Sequence, residues 1–156
     1  MAVSIRKDGN VISRQRIVFC YFSPKEIDYT PVDIGCIVAL LEQKFPGKYA
    51  CEILQLDYRL DTYARIDALR EHDVNRSVDL IGYHRPTAVF IFCESILWSK
   101  VNAFWRASSI AEELKRRQPD LFVGLQSYRA QKPQIDEVFA KGSVDCVVMG
   151  DAERSF

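Results

Sequence analysis

The sequence feature that most constrains the fold of this chain is a set of five short apolar segments separated by longer amphipathic segments. They are read as buried strands, Arg16–Phe22, Cys51–Asp57, Ala88–Cys93, Leu121–Leu125 and Val144–Met149. Continuous apolar strands are typical of parallel sheets, because helices cover both faces of such sheets. The sequence therefore predicts an α/β fold: a doubly wound, five-stranded parallel sheet with helices on both faces, Rossmann-like or flavodoxin-like.

The segments between these strands predict helices. The first starts at Thr30–Pro31, where Thr30 is an N-cap and Pro31 occupies the first helical position, and it stops at Phe45–Pro46–Gly47. The second, from about Thr62 to Tyr83, is predicted to be a broken helix because its apolar residues are scattered. Val101–Arg117 and Pro133–Lys141 are predicted as the third and fourth helices.

The length of 156 residues suits one domain, here residues 16–156 after a polar N-terminal extension, residues 1–15. The 21 basic and 21 acidic side chains cancel, so no charge excess favours nucleic acid or a membrane surface as a partner. No apolar run is long enough to cross a bilayer. The five cysteines are an odd number in apolar stretches, which predicts free buried thiols in a reducing, cytoplasmic compartment.

Known catalytic and phosphate-binding motifs are absent. The sequence has no GxxxxGK[ST], GxGxxG or GxSxG pattern and no cysteine spacing suited to an iron–sulfur or zinc site. His72 and His84 are predicted to be ordinary surface residues. Asp57 suggests a phosphoacceptor of the response-regulator type, but Phe22–Ser23 and Gly150–Asp151 lack the acidic cluster and the lysine that this chemistry needs. We therefore predict no catalytic residue and no metal ligand.

In a doubly wound fold, ligands bind beyond the carboxyl ends of the strands. Residues at those ends, in order, resemble the N-terminal cobalamin-binding domains of cobalamin-dependent radical S-adenosylmethionine enzymes. The resemblance rests on the segments Pro31–Leu41, Ile53–Asp57, Phe92–Ser95, Gly124–Ala130 and Val144–Phe156. It implies that the chain is a module presenting a corrinoid to a radical S-adenosylmethionine domain, in cis or in trans.

The same resemblance implies the site. The expected cofactor is cobalamin, without a protein histidine on cobalt because DxHxxG is missing, and without an iron–sulfur cluster in this chain. The implied cofactor-binding residues are Pro31, Gly35, Asp57, Cys93, Glu94, Ser95, Gly124, Gln126, Ser127, Gly150 and Glu153.

Two alternatives stay open. In one, the domain is a degenerate relative that no longer binds the cofactor and acts as a docking or scaffolding partner. Its support is Leu125 and Ala152, which replace family glycines, and Trp98, which a partner would cover. In the other, the chain is an independent small-molecule enzyme, although the sequence offers no convergent acid–base pair for that role.

Overall fold

A parallel sheet of five strands forms the centre of the protein, in a computed structural model that describes residues 4–5, 11–12, 14–23, 32–57, 66–93, 103–128 and 130–150. Two short strands, β1 (Ser4–Ile5) and β2 (Val11–Ile12), precede it as a separate antiparallel pair. The sheet itself consists of β3 (Gln15–Ser23), β4 (Tyr49–Asp57), β5 (Ala88–Phe92), β6 (Phe122–Ser127) and β7 (Cys146–Met149).

The strands lie in the order β4-β3-β5-β6-β7, and every neighbouring pair is parallel. Numbered within the sheet alone, this is the order 2-1-3-4-5. The chain passes from β3 outward to β4 and then returns across β3 to β5, so the direction of winding reverses between β3 and β5. The predicted doubly wound α/β fold is confirmed, and its switch point lies between these two strands.

Four helices cover the sheet: α1 (Val32–Lys44), α2 (Ile66–Tyr83), α3 (Phe104–Arg117) and α4 (Lys132–Ala140). On one face, Ile34 and Ile37 of α1 pack against Phe19 and its neighbours on β3 and β5. On the other face, buried residues from all three later helices join the larger core. Both faces are thus covered by helices, which explains why the strands are apolar on both sides.

The second helix differs from its prediction. Helix α2 is continuous over eighteen residues, where the sequence predicted a broken helix. Its apolar contribution is small, with Val78 and Ile81 buried in the core. Its polar residues contact α3 instead: Arg117 donates to Asp79 at 2.6 Å and to Asn75 at 2.7 Å. Packing against α3 therefore supports a helix whose apolar pattern alone is weak.

The prediction that the cysteines are buried is wrong for Cys36, which is exposed on α1, whereas Cys51 and Cys146 are half-buried. Two aromatic side chains of the helices, Trp105 and Phe139, are also exposed. The predicted cap of α1 at Thr30–Pro31 lies outside the described residues. No helix among those described is long and apolar enough to span a membrane.

Candidate functional site

The carboxyl ends of β5, β6 and β7 form the described part of the edge where the sequence predicted a site. Cys93 follows β5, Gln126 and Ser127 end β6, and Gly150 follows β7. Parallel strands bring these ends to one edge of the sheet, next to the switch point. The structure therefore brings together four of the residues that the resemblance implied.

Cys93 stands at the end of the central strand. It is 2% exposed, and its backbone N–H donates to the carbonyl oxygen of Gln126 at 2.9 Å. Its Sγ lies 3.7 Å from the Ile91 carbonyl oxygen, and the residue belongs to the apolar core with Val89 and Ile91. A thiol in such surroundings packs as a small apolar group, because reactive cysteines need exposure and nearby positive charge.

Gln126, Ser127 and Gly150 are joined by hydrogen bonds to one another. The side-chain Nε2 of Gln126, a residue 1% exposed, donates to the carbonyl oxygen of Gly150 at 3.0 Å. The backbone N–H of Gly150 donates to the carbonyl oxygen of Ser127 at 3.3 Å. The Ser127 hydroxyl accepts from the backbone N–H of Ala130 at 3.0 Å. These bonds fix the turns after β6 and β7.

The two remaining predicted glycines with described surroundings differ sharply. A Cβ on Gly124 would lie 2.6 Å from the Phe90 ring and 2.9 Å from the Cys146 Sγ, so glycine is required there by internal packing. Gly35 lies on an exposed side of α1, with nothing within 4 Å of a built Cβ. The space beside Gly124 is therefore already filled by the protein itself.

The other predicted site residues fall at or beyond the limits of the described chain. Asp57 ends β4, and its backbone is in register with Ser23 at the outer side of the sheet, one strand from the switch point. Pro31, Glu94, Ser95 and Glu153 lie outside the described residues, as does Trp98. The structure therefore brings only part of the predicted set together.

These contacts bear on whether a corrinoid would fit at this edge of the sheet. The space beside Gly124 is filled by Phe90 and Cys146, and the Gln126 amide donates to Gly150. At Gly124 and Gln126, two of the residues that the resemblance implied for cofactor binding, the structure thus has internal packing and an internal hydrogen bond. Cobalamin binding stays a prediction.

Charged contacts that the sequence did not reveal lie elsewhere. His84, expected to be an ordinary surface residue, contacts the Glu52 carboxylate through Nδ1, and Arg16 bonds both the His84 carbonyl oxygen and Glu52. This cluster sits at the amino ends of β3 and β5, away from the candidate edge. No group of three metal-ligating side chains occurs among the described residues. The contacts among Arg16, Glu52 and His84 join residues that are thirty or more positions apart, so no local sequence pattern predicts them.

Comparison with known proteins identifies the fold class as that of receiver domains. No protein-family model and no curated protein matches the chain. Among solved structures, it is similar to the signal receiver domain of the putative response regulator NarL from Mycobacterium tuberculosis, with 13% identity, 88% of this chain and 85% of that chain covered, and a TM-score of 0.52.

Two further receiver structures give the same result. A CheY-like receiver domain protein from Methanospirillum hungatei has 13% identity, 92% and 87% coverage of this chain and that chain, and a TM-score of 0.51. The isolated receiver domain of RcsB from Salmonella enterica serovar Typhimurium, solved with the phosphomimetic BeF3−, has 9% identity, 88% and 78% coverage and a TM-score of 0.50. At these identities the likeness concerns the fold.

These matches correct the interpretation drawn from the sequence. The resemblance to cobalamin-binding domains is wrong, because the matching structures described above are receiver domains. The function inferred from it, a corrinoid-presenting module or its degenerate docking relative, is likewise overturned, together with a radical S-adenosylmethionine domain as partner. The physical reason is that apolar strands ending in small polar residues are common to many doubly wound folds and do not distinguish between them.

Proposed function

We propose that this chain is a receiver-like signalling domain that passes its signal through protein contacts, without an aspartyl phosphate at the end of its central strand. The observation that carries the proposal is Cys93. It occupies the end of β5, beside the switch point where ligands of doubly wound folds bind, and it is 2% exposed. A thiol buried among apolar side chains does not provide the carboxylate that an acyl phosphate requires.

The rest of the described edge supports this proposal. The Ser127 hydroxyl and the Gln126 amide are engaged with Ala130 and Gly150, so they form part of the scaffold of the edge. Asp57 is a described acidic residue at the carboxyl end of a strand, where a phosphoacceptor would stand, but that strand is the outer strand β4. The chain therefore combines a receiver-like fold with an edge whose described polar groups stabilise the turns after the strands.

The proposed partners are those of receiver domains, a histidine kinase or an output domain. The proposed location is the cytoplasm, supported by five cysteines that are all free. Reduced thiols in three strands, directly after a fourth strand and on a helix surface are what a reducing compartment maintains.

The first experiment tests phosphorylation. The chain is incubated with Mg²⁺ and either acetyl phosphate or BeF3−, with a phosphorylatable receiver domain as positive control. We expect no phosphoryl adduct by intact-mass spectrometry and no bound fluoride by ¹⁹F NMR. A stoichiometric phosphoryl adduct that is lost in the Asp57→Asn variant would contradict the phosphorylation-independent mechanism.

The second experiment tests signalling itself. Purified kinase and output domains from the source organism are titrated with the chain by calorimetry, before and after treatment with acetyl phosphate. We expect saturable binding to at least one domain, of equal affinity under both conditions. Binding only after treatment contradicts the mechanism, and no binding to any of these domains contradicts the signalling role.

A further inference from the structure

The side of helix α1 that faces away from the sheet carries no charge along its centre. Ile34 and Ile37 are buried against the sheet, so the opposite side of the helix points outward. That outward side consists of five exposed residues, Val32, Gly35, Cys36, Ala39 and Gln43. The Val32 side chain is 67% exposed. Because a helix that is apolar on both sides is normally covered on both, the outward side of α1 is suited to a partner.

Helix α4 shows how an ordinary solvent-facing side differs in the same protein. Its exposed residues include Lys132 and Asp136, which form an ion pair at 2.6 Å. In α1 the charged residues stand at the two ends instead, with Asp33 in the first turn and Glu42 and Lys44 in the last. The middle of the outward side is therefore free of the charges that keep the surface of α4 hydrated.

Small residues occupy the centre of the outward side. Gly35 and Ala39 are four positions apart, about one turn, and Cys36 lies between them. A Cβ built on Gly35 meets nothing within 4 Å, so the space above it is open. Packed helices lie about 8–10 Å apart, and the shorter distances require small side chains at the contact. The outward side of α1 thus suits close packing with a second helix.

The charges at the ends of α1 complement those of a second α1 that runs in the opposite direction. Asp33 and Lys44 are eleven positions apart, close to three full turns, so they lie on one flank of the helix. An antiparallel two-fold pair brings each flank against the same flank in reverse order, so Asp33 of each copy meets Lys44 of the other. The Asp33 carboxylate accepts a hydrogen bond from the Tyr128 hydroxyl at 3.2 Å and has lone pairs for a second donor.

We propose that the outward side of α1 binds the same side of α1 in a second copy of this chain, antiparallel about a two-fold axis beside Ala39. Glu42, on the other flank, then meets Gly35 of the second copy, which has no side chain to oppose it. A parallel pair would place Asp33 against Asp33 and Lys44 against Lys44. The interface is isologous and closes as a dimer. Because one helix pair buries less than about 1,200 Å², the dimer is weak and reversible.

The proposal is independent of the signalling role and is tested by oligomeric state. Wild-type chain is examined by sedimentation velocity over a dilution series, beside Ala39→Lys and the matched control Ala140→Lys, an exposed alanine of α4. Lysine is a good helix former, so both variants are expected to fold. We expect a concentration-dependent dimer that Ala39→Lys abolishes and Ala140→Lys retains, because two facing ammonium groups repel and lose hydration. A wild-type monomer throughout, or a dimer that survives Ala39→Lys, overturns the proposal.

A crosslink tests the orientation of the two helices without depending on the lysine variant. In a Cys36→Ser background, Ala39→Cys places two thiols beside the two-fold axis, within the span of a disulfide. Val32→Cys is the control on the same side of α1, because an antiparallel pair separates the two copies of position 32 by about 20 Å along the helix axis. Mild oxidation is expected to give a covalent dimer of Ala39→Cys alone on a non-reducing gel. Failure of Ala39→Cys to crosslink above the background, or equal crosslinking of Val32→Cys, overturns the antiparallel arrangement.

Discussion

The side-chain amide of Gln126 donates a hydrogen bond to the carbonyl oxygen of Gly150 at 3.0 Å and so joins the carboxyl ends of β6 and β7. Gly150 has a φ of 80°, a conformation that glycine adopts without steric cost. Because Gln126 is 1% exposed, its amide has little access to water as a substitute partner. The polar residues at this edge thus stabilise the turn that leaves the last strand.

Replacing Gln126 with alanine is expected to lower the free energy of unfolding by about 1–3 kcal/mol, since the Gly150 carbonyl loses its side-chain partner and a cavity remains. Urea denaturation followed by circular dichroism measures the change. Gln118→Ala, at an exposed position after α3, is the matched control and is expected to change stability by less than about 0.5 kcal/mol. Equal effects of the two substitutions would contradict a structural role for the Gln126 bond.

The substitution of glycine by alanine is expected to have opposite signs at two positions. Gly124→Ala places a methyl group 2.6 Å from the Phe90 ring and should destabilise the fold by about 1–3 kcal/mol. Gly35→Ala adds a methyl group in open space on a helix and should stabilise the fold by about 0.5–1 kcal/mol. Thermal unfolding of both variants measures the difference. Recovery of stability in Gly124→Ala combined with Phe90→Leu would identify the ring as the cause.

The Glu113 carboxylate is expected to make stability depend on pH in acid. Hydrogen bonds from Arg116 and then Arg117 lower the pKa of Glu113 from 4.5 to about 2. A carboxyl group with a lowered folded-state pKa stabilises the fold above its unfolded value, and this contribution disappears as pH falls through about 2. Melting temperatures of wild type and Glu113→Gln should therefore differ most near neutral pH and converge toward pH 2. A constant difference over that range would contradict the linkage.

Native-state alkylation should distinguish the cysteines by burial. Cys36 is exposed, whereas Cys20 and Cys93 are buried, and burial raises the pKa of the Cys20 thiol far above its ordinary value. Because the thiolate is the reactive form, iodoacetamide is expected to modify Cys36 first and Cys20 only after unfolding. Peptide mapping over a time course measures the order. Modification of Cys20 at the rate of Cys36 in the folded protein would contradict the packing of β3.

Local patterns predicted most of the fold. The continuous apolar run at Arg16–Phe22 identified β3 to within one residue at each end, and the run at Ala88–Cys93 identified β5 to within one residue at its end. Helix α2 was the exception, because its stability depends on contacts between Asp79 and Arg117 rather than on its own periodicity. For the candidate edge, the sequence placed Gln126, Ser127 and Gly150 at strand ends. It did not predict that they would bond to one another.

By itself, then, the sequence determined the α/β class, the five parallel strands and the edge where their ends meet, because apolar periodicity acts over a few residues and needs no knowledge of distant contacts. Only the tertiary structure decided the strand order, the filling of the space beside Gly124 by Phe90, and the burial of Cys93 at the end of the central strand. Each of these depends on which distant segments pack together. Such contacts are set by the packing of the whole core, which a local sequence pattern does not specify.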